Sequence, residues 1–370
     1  MNKKIAIVSN TSWSIFNFRF QLAKDLKYFG YDVILIAPHD KYSHRLSSEF
    51  EYHNINMNNK GTNPKEDIKT TIEFYKLYKG IKPDVVLHYT IKPNIYGTIA
   101  CNILGIKTIN NIAGLGTLFV NQNFITQIAK WLYKYSQKKA GKIFFQNKDD
   151  FHMFTDENLV DITKCDILPG SGVDTNKFVP GKYIKKDDTF KFLLIGRMLW
   201  DKGIGEYVAA SKIIKEKYQN VEFQLLGFLD VINNSAISNI QMQEWIGAGL
   251  VNYLGVSDNV SNEIEKADCI VLPSFYREGT PRTLLESASM AKPIITTNNV
   301  GCKDVVDDGI NGYLCEIKNV KDLVEKMEMI INLSEEERNK MGQAGREKMI
   351  NEFDEKIVIN KYLETIKGVI

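Results

Sequence analysis

At 370 residues the chain is long enough for two domains with a core in each, at about 150 residues per domain. Hydrophobic residues at 44%, charged at 25% and aromatic at 11% are ordinary for a globular protein and exclude a mainly disordered or low-complexity chain. The 47 basic and 45 acidic residues leave a net charge of +2, too small a bias for wholesale wrapping by nucleic acid, so no nucleic-acid partner is expected.

From the N-terminus, Met1-Asn2-Lys3-Lys4 leads into Ile5-Ala6-Ile7-Val8, which stops at Ser9-Asn10-Thr11-Ser12. That run is too short for a signal-peptide core and reads as a first buried strand. No stretch of about 18 uninterrupted apolar residues follows, so no spanning helix is expected and the reading is a cytoplasmic protein. Short runs rich in β-branched residues then alternate with amphipathic stretches, the pattern of βα units around a parallel sheet. Strands are expected over residues 4–9, 32–37, 84–88, 107–112 and 142–146, with helices over 18–29, 67–79, 94–104 and 124–138. Residues 170–188, with Pro180, Gly181 and Lys185-Lys186-Asp187-Asp188, lack periodicity and suit a linker. The alternation restarts with strands over 190–195, 221–226, 250–255, 269–272 and 293–297, and helices over 205–218, 261–266, 283–290, 320–332 and 334–351. The expected fold is α/β, two doubly wound Rossmann-like domains facing across a cleft, with ligands beyond the carboxyl ends of the strands.

Several familiar chemistries drop out. Cys101, Cys165, Cys269, Cys302 and Cys315 are scattered, odd in number and never C-x-x-C, which fits reduced core thiols. His39, His44, His53, His88 and His152 have no metal-ligand spacing. Gly114-Leu115-Gly116 starts a dinucleotide fingerprint, but Phe119 stands at the third glycine position. Ser171 lacks the glycine spacing of a nucleophile elbow. No D-x-D pair is present, so neither a metal nor another cofactor is expected, and side chains and backbone must neutralise any bound phosphate.

Two loops could do this. Gly196-Arg197-Met198-Leu199-Trp200-Asp201-Lys202-Gly203 places a guanidinium and an ammonium in one strand-to-helix loop, where a solvated turn is the plainer alternative. Pro273-Ser274-Phe275-Tyr276-Arg277-Glu278-Gly279-Thr280-Pro281 ends a second strand at a helix start, where free backbone N–H groups suit an anion. Glu278 and Glu286 can face one ligand from different depths, accepting hydrogen bonds from sugar hydroxyls; helix capping is the alternative.

The run Glu278-Gly279-Thr280-Pro281-Arg282-Thr283-Leu284-Leu285-Glu286 resembles the E-x7-E signature of retaining family-4 glycosyltransferases, and Gly196-Arg197 with Lys202-Gly203 resembles their phosphate-binding pair. Similar too are Gly172-Val173-Asp174 with Phe178, the segment from Gly301 to Leu314, and Thr90-Ile91-Lys92-Pro93-Asn94-Ile95-Tyr96-Gly97, the last resembling bacterial capsule and O-antigen members. The resemblance implies a GT-B fold with residues 1–170 as acceptor domain, 171–188 as linker, 189–352 as nucleotide-sugar domain and 353–370 as a helix returning to the first domain. It implies that Gly196, Arg197 and Lys202 hold the donor diphosphate, that Gly279, Thr280 and Pro281 frame it, and that Glu278 and Glu286 bind the sugar and ribose hydroxyls. Asn10-Thr11-Ser12-Trp13-Ser14 stands where many members carry a paired glycine.

The acceptor candidates are Asn10, Ser14, Arg19, His88, Lys92 and Asn94, with His88 as a possible general base. The implied partners are a UDP-sugar donor, a glycan or polyprenyl-diphosphate-linked acceptor, and an anionic membrane surface. Residues 124–145 mix Trp131, Tyr133 and Tyr135 with Lys130, Lys134 and Lys138, which suits lysines facing lipid headgroups at the inner face of the cell membrane. A UDP-sugar 2-epimerase and a non-catalytic nucleotide-sugar or glycan-binding module are the rival readings.

Overall fold

The computed structural model describes residues 2–58, 63–115, 119, 124–181, 187–229, 231 and 233–370. The chain divides into two compact units: Met1–Ser171 with Lys356–Ile370, and Gly172–Glu355.

In the first unit seven strands, β1 (Lys4–Val8), β2 (Asp32–Ala37), β3 (Glu51–Asn54), β4 (Val85–Tyr89), β5 (Lys107–Ile112), β6 (Lys142–Phe145) and β7 (Cys165–Ile167), form a parallel sheet. Their order is β3-β2-β1-β4-β5-β6-β7. The runs Ile5-Ala6-Ile7-Val8 and Val85-Val86-Leu87 are apolar on both sides because both faces are covered. One face packs Ile5, Ile7, Leu35 and Leu87 against Ile15, Leu22 and Leu26; the other packs Ala6, Val8 and Val86 against Phe74 and Tyr78. Helix Glu355–Val369 closes the first face, burying Val358, Ile359, Tyr362, Leu363 and Ile366. At about 1.5–3 kcal/mol per buried large side chain, that docking is a substantial part of the unit's stability.

In the second unit six strands, β8 (Phe190–Ile195), β9 (Val221–Leu226), β10 (Asn252–Tyr253), β11 (Cys269–Leu272), β12 (Ile294–Thr297) and β13 (Gly312–Cys315), form a second parallel sheet. Its order is β10-β9-β8-β11-β12-β13. Strand order therefore reverses between β1 and β4 in one sheet and between β8 and β11 in the other. These are the switch points beyond which such sheets bind ligands.

Departures from the sequence reading have local causes. β3, β7 and β13 are short, and the first two lie at sheet edges and are only partly buried, so they carry no apolar run. The helix expected over 18–29 is two, Ser12–Phe18 and Phe20–Tyr28, broken at Arg19 with φ −134°. The helix expected over 94–104 opens with a wide π-type turn, Pro93–Gly97. Residues 172–178 are packed rather than linking: Val173 and Phe178 are buried in the second unit's core, and Val173 exchanges backbone hydrogen bonds with Phe353 and Glu355, both 2.9 Å. Residues 182–186 of the expected linker, and Gly116 of the partial fingerprint, lie outside the described residues.

Candidate active site

At the second switch point the loops after β8 and β11 are held together by backbone. The Asp201 carbonyl accepts from the N–H groups of Phe275 and Tyr276, both at 3.0 Å. Gly203, at φ +76°, starts helix Ile204–Lys217 so close to β11 that a Cβ there would lie 2.1 Å from the Pro273 carbonyl oxygen. This contact brings the Lys202 ammonium onto Oε1 of Glu278, which also accepts from the Ser274 hydroxyl at 3.0 Å. Both charged side chains are largely removed from water, at 14% and 11% exposure. A buried ion pair is weak evidence for stability, so its place at a switch point points to function. Arg197 is exposed beside it. Burial, with Glu278 close by, pushes the Tyr276 phenol above its ordinary pKa, while the Arg197 charge opposes that shift.

The helix Arg282–Ser289 follows Pro281 and turns Leu284, Leu285 and Ala288 into the core. Glu286 sits on its inner side, and its Oε1 accepts from Arg282 Nε at 2.9 Å. Burial raises the Glu286 carboxyl above its usual range, partly offset by the Arg282 charge and hydrogen bond. Glu278 and Glu286 thus each hold a different cation. Behind the loop, Gly301 at φ +78° comes so near that a Cβ would lie 1.5 Å from the Gly279 carbonyl oxygen. Gly196, Arg197, Lys202, Glu278, Gly279, Thr280 and Pro281 therefore gather beyond one sheet edge, with Glu286 in the helix that follows. Sequence reasoning passed over Ser274, Arg282 and Gly301. The spacing of Arg282 and Glu286, a helical i, i+4 pair, could have revealed one of them.

In the first unit the acceptor candidates separate. Asn10 and Ser14 are half-buried at the end of β1, where Thr11 caps helix Ser12–Phe18 by accepting from Ser14 N at 3.0 Å. Lys92 pairs with Asp67 at 2.7 Å, and Tyr96 donates to the same carboxylate at 2.8 Å. Asn94 is buried and donates to the Asn111 carbonyl at 2.7 Å. Arg19 is 6% exposed, with its guanidinium 4.3 Å from the centroid of the Tyr89 ring.

The general-base expectation for His88 does not fit its surroundings. The side chain is 0% exposed. Asn110 spends its amide nitrogen on Gln137 at 2.6 Å, so its Oδ1 accepts from His88 Nδ1 at 2.9 Å, leaving Nε2 to accept from the Tyr78 hydroxyl at 2.9 Å. Burial lowers the His88 pKa to about 4, with the Asn110 hydrogen bond opposing it. This is a neutral imidazole bracing the sheet; a Cβ on Gly97 would lie 2.5 Å from Nε2.

Among the described residues no group of three or more His, Cys, Asp or Glu could hold a metal ion, and no helix is long and apolar enough to cross a membrane. Residues 176–348 match the family model for glycosyl transferases group 1, and residues 4–147 that for glycosyl transferase 4-like proteins. The chain is 26% identical to the N,N'-diacetylbacillosaminyl-diphospho-undecaprenol alpha-1,3-N-acetylgalactosaminyltransferase of Campylobacter jejuni, covering 99% of both chains. It is also 26% identical to an Escherichia coli UDP-Gal:alpha-D-GlcNAc-diphosphoundecaprenol alpha-1,3-galactosyltransferase, over 78% of this chain and 76% of that one. In fold it resembles a glycosyltransferase from Rickettsia africae, with a TM-score of 0.81 at 21% identity over 100% of this chain and 98% of that one. With two family models spanning most of its length and two parallel-sheet units of this topology, the chain belongs to the group 1, family-4-like glycosyltransferases of GT-B fold.

Proposed function

We propose that the chain is a retaining, metal-independent transferase that moves a sugar of the N-acetylhexosamine class from a UDP-sugar to a polyprenyl-diphosphate-linked surface glycan. The observation that carries this reading is the joined pair of loops at the second switch point, where Lys202 and Arg197 stand beside Glu278. The names of the Campylobacter and Escherichia relatives, both acting on diphosphoundecaprenol-linked sugars, support the acceptor class.

In this mechanism the donor diphosphate takes the Lys202 ammonium away from Glu278. Lys202 and Arg197 then stabilise the charge growing on the departing UDP, a contribution of about 10²–10³ in rate for one well-placed group. Glu278, released from its cation but still held by Ser274, accepts from the donor sugar hydroxyls. Glu286, oriented by Arg282, accepts from the ribose hydroxyls, while the N–H groups of Gly279 and Thr280 face the outer phosphate. The acceptor hydroxyl attacks the face from which UDP departs. Its proton passes to the departing phosphate oxygen, so the configuration is kept and no base at His88 is needed.

The lipid-linked acceptor places the enzyme at a membrane, and helix Phe124–Gln137 supports this. Phe124 at 79%, Trp131 at 63% and Tyr135 at 58% exposure, with Ile125 and Ile128, form an outward apolar stripe. The Trp131 and Tyr135 rings stack at 5.7 Å. Lys130, expected to meet headgroups, instead pairs with Glu157 at 2.6 Å. Aromatic insertion, assisted by exposed Lys134 and Lys138, is the mode this face suits, at the inner surface of the cell membrane.

UDP release across a panel of UDP-sugars, with and without polyprenyl-diphosphate-linked acceptors, tests the reading. Acceptor-dependent UDP release is expected; isomerisation of the donor sugar without release would refute it.

A further inference from the structure

The switch point of the first sheet holds a cation with no counter-charge among the described residues. Arg19 sits at the break between helices Ser12–Phe18 and Phe20–Tyr28, over the end of β4. Its guanidinium lies against the Tyr89 ring and makes one hydrogen bond, from Nη1 to the Phe18 carbonyl at 3.0 Å, and no ion pair among the described residues. Other sheltered cations are answered: Lys92 by Asp67, Lys202 by Glu278, Arg282 by Glu286, while Arg346 spends its fork on the Thr175, Phe178 and Ser289 carbonyls. Holding a guanidinium out of water with neither a counter-ion nor a full set of carbonyl acceptors is costly.

A second observation lies beside it. Ser9, the residue after β1, is 0% exposed, and its hydroxyl has no hydrogen-bond partner among the described residues. The register Val8↔His88 sets Ser9 next to Tyr89. Alternation from Ile5 and Ile7 puts Ser9 on the face that also carries Tyr89 and the two helices flanking Arg19. An unmet hydroxyl on the sheet face that an uncompensated guanidinium covers describes a site completed by an oxyanion.

We infer that Arg19, with the hydroxyl of Ser9, binds a phosphate of the acceptor's diphosphate at the carboxyl edge of β1 and β4. The acceptor assignment rests on the transferase reading above. The anion-binding chemistry does not. The planar fork of Arg19, steadied by Tyr89, offers two parallel donors to one phosphate, a geometry lysine lacks.

The test uses the full chain and Arg19→Met, which keeps the contact with Tyr89 and removes the charge. With UDP saturating the second unit, inorganic pyrophosphate should raise the melting temperature of the wild type and leave that of Arg19→Met unmoved. In steady state with a polyprenyl-diphosphate-linked acceptor, Arg19→Met should raise the acceptor KM tenfold or more, Arg19→Lys should fall between, and UDP affinity should stay within twofold. Because the charge is uncompensated, Arg19→Met should melt no lower than wild type. A lower melting temperature with unchanged acceptor KM would make Arg19 structural and overturn the inference. An equal loss of UDP affinity would give the anion to the nucleotide and overturn the acceptor assignment. Absence of transfer in the wild type would instead sink the transferase reading, and the pyrophosphate measurement would still judge the anion site.

Discussion

In the second unit, two cations at the switch point are met by carboxylates of the same unit, Lys202 by Glu278 and Arg282 by Glu286, while Arg197 stands exposed beside them. At the matching position of the first unit, Arg19 has an aromatic ring and one carbonyl. The strand order is the same and the electrostatics differ. On the proposed reading, one edge has its sheltered cations paired before any ligand arrives and exchanges a protein carboxylate for a phosphate, whereas the other takes its anion from the ligand. An edge of the first kind would bind a dianion while freeing a hydrogen-bond acceptor for sugar hydroxyls. An edge of the second kind has nothing to release.

The largest effect that would break this contrast lies at the donor edge. Lys202→Ala or Arg197→Ala should lower kcat/KM for transfer by roughly 10² or more, and activity should survive EDTA. Full activity in both variants, or chelator loss restored by Mg²⁺, would remove the metal-free mechanism. Glu278→Gln should impair transfer while nucleotide binding is largely kept, as measured by UDP titration beside turnover.

His88 sharpens the contrast from the interior. Its native pKa near 4 lies below the unfolded value of 6.5, so the unfolded chain takes up the proton first. Its contribution is therefore complete above about pH 6.5 and falls as pH drops towards 4, on the order of 3 kcal/mol in all. Urea unfolding of wild type and His88→Gln at a series of pH values should show a steeper acid loss in the wild type. A kcat profile that follows a group near pH 6.5 and is abolished in His88→Gln would restore the general-base role.

A smaller effect is expected at helix Phe124–Gln137. Trp131→Ala with Tyr135→Ala should weaken co-sedimentation with anionic vesicles, and Lys134→Gln should remove about 1 kcal/mol of salt-sensitive attraction. Lys130→Gln should change little, because that ammonium is already paired with Glu157. Vesicle binding that tracks Lys130 and ignores the aromatics would reverse this assignment.

Much of the fold is legible in residue order, because strands such as β2 and β8 are buried apolar runs bounded by turn residues. Short edges such as β3 leave no such trace. Arg197, Lys202, Glu278 and Glu286 are legible because loop cations and carboxylates beside glycines have few structural uses. Their pairing is not: Lys202 meets Glu278 only because β8 and β11 are neighbours, 76 positions apart in sequence. His88 misleads because its position near a strand end says nothing of its face. Alternation sets it opposite Leu87 and Tyr89, on the side where Val86 meets Phe74 and Tyr78.

The donor assignment at the second switch point is tested most directly by calorimetric titration of UDP into the wild type and Glu286→Gln. Gln can still accept from Arg282, so the helix should stay in place while the charged acceptor for ribose is lost. The account predicts binding weakened about tenfold, or about 1.4 kcal/mol. Equal UDP affinity in the two proteins would contradict it.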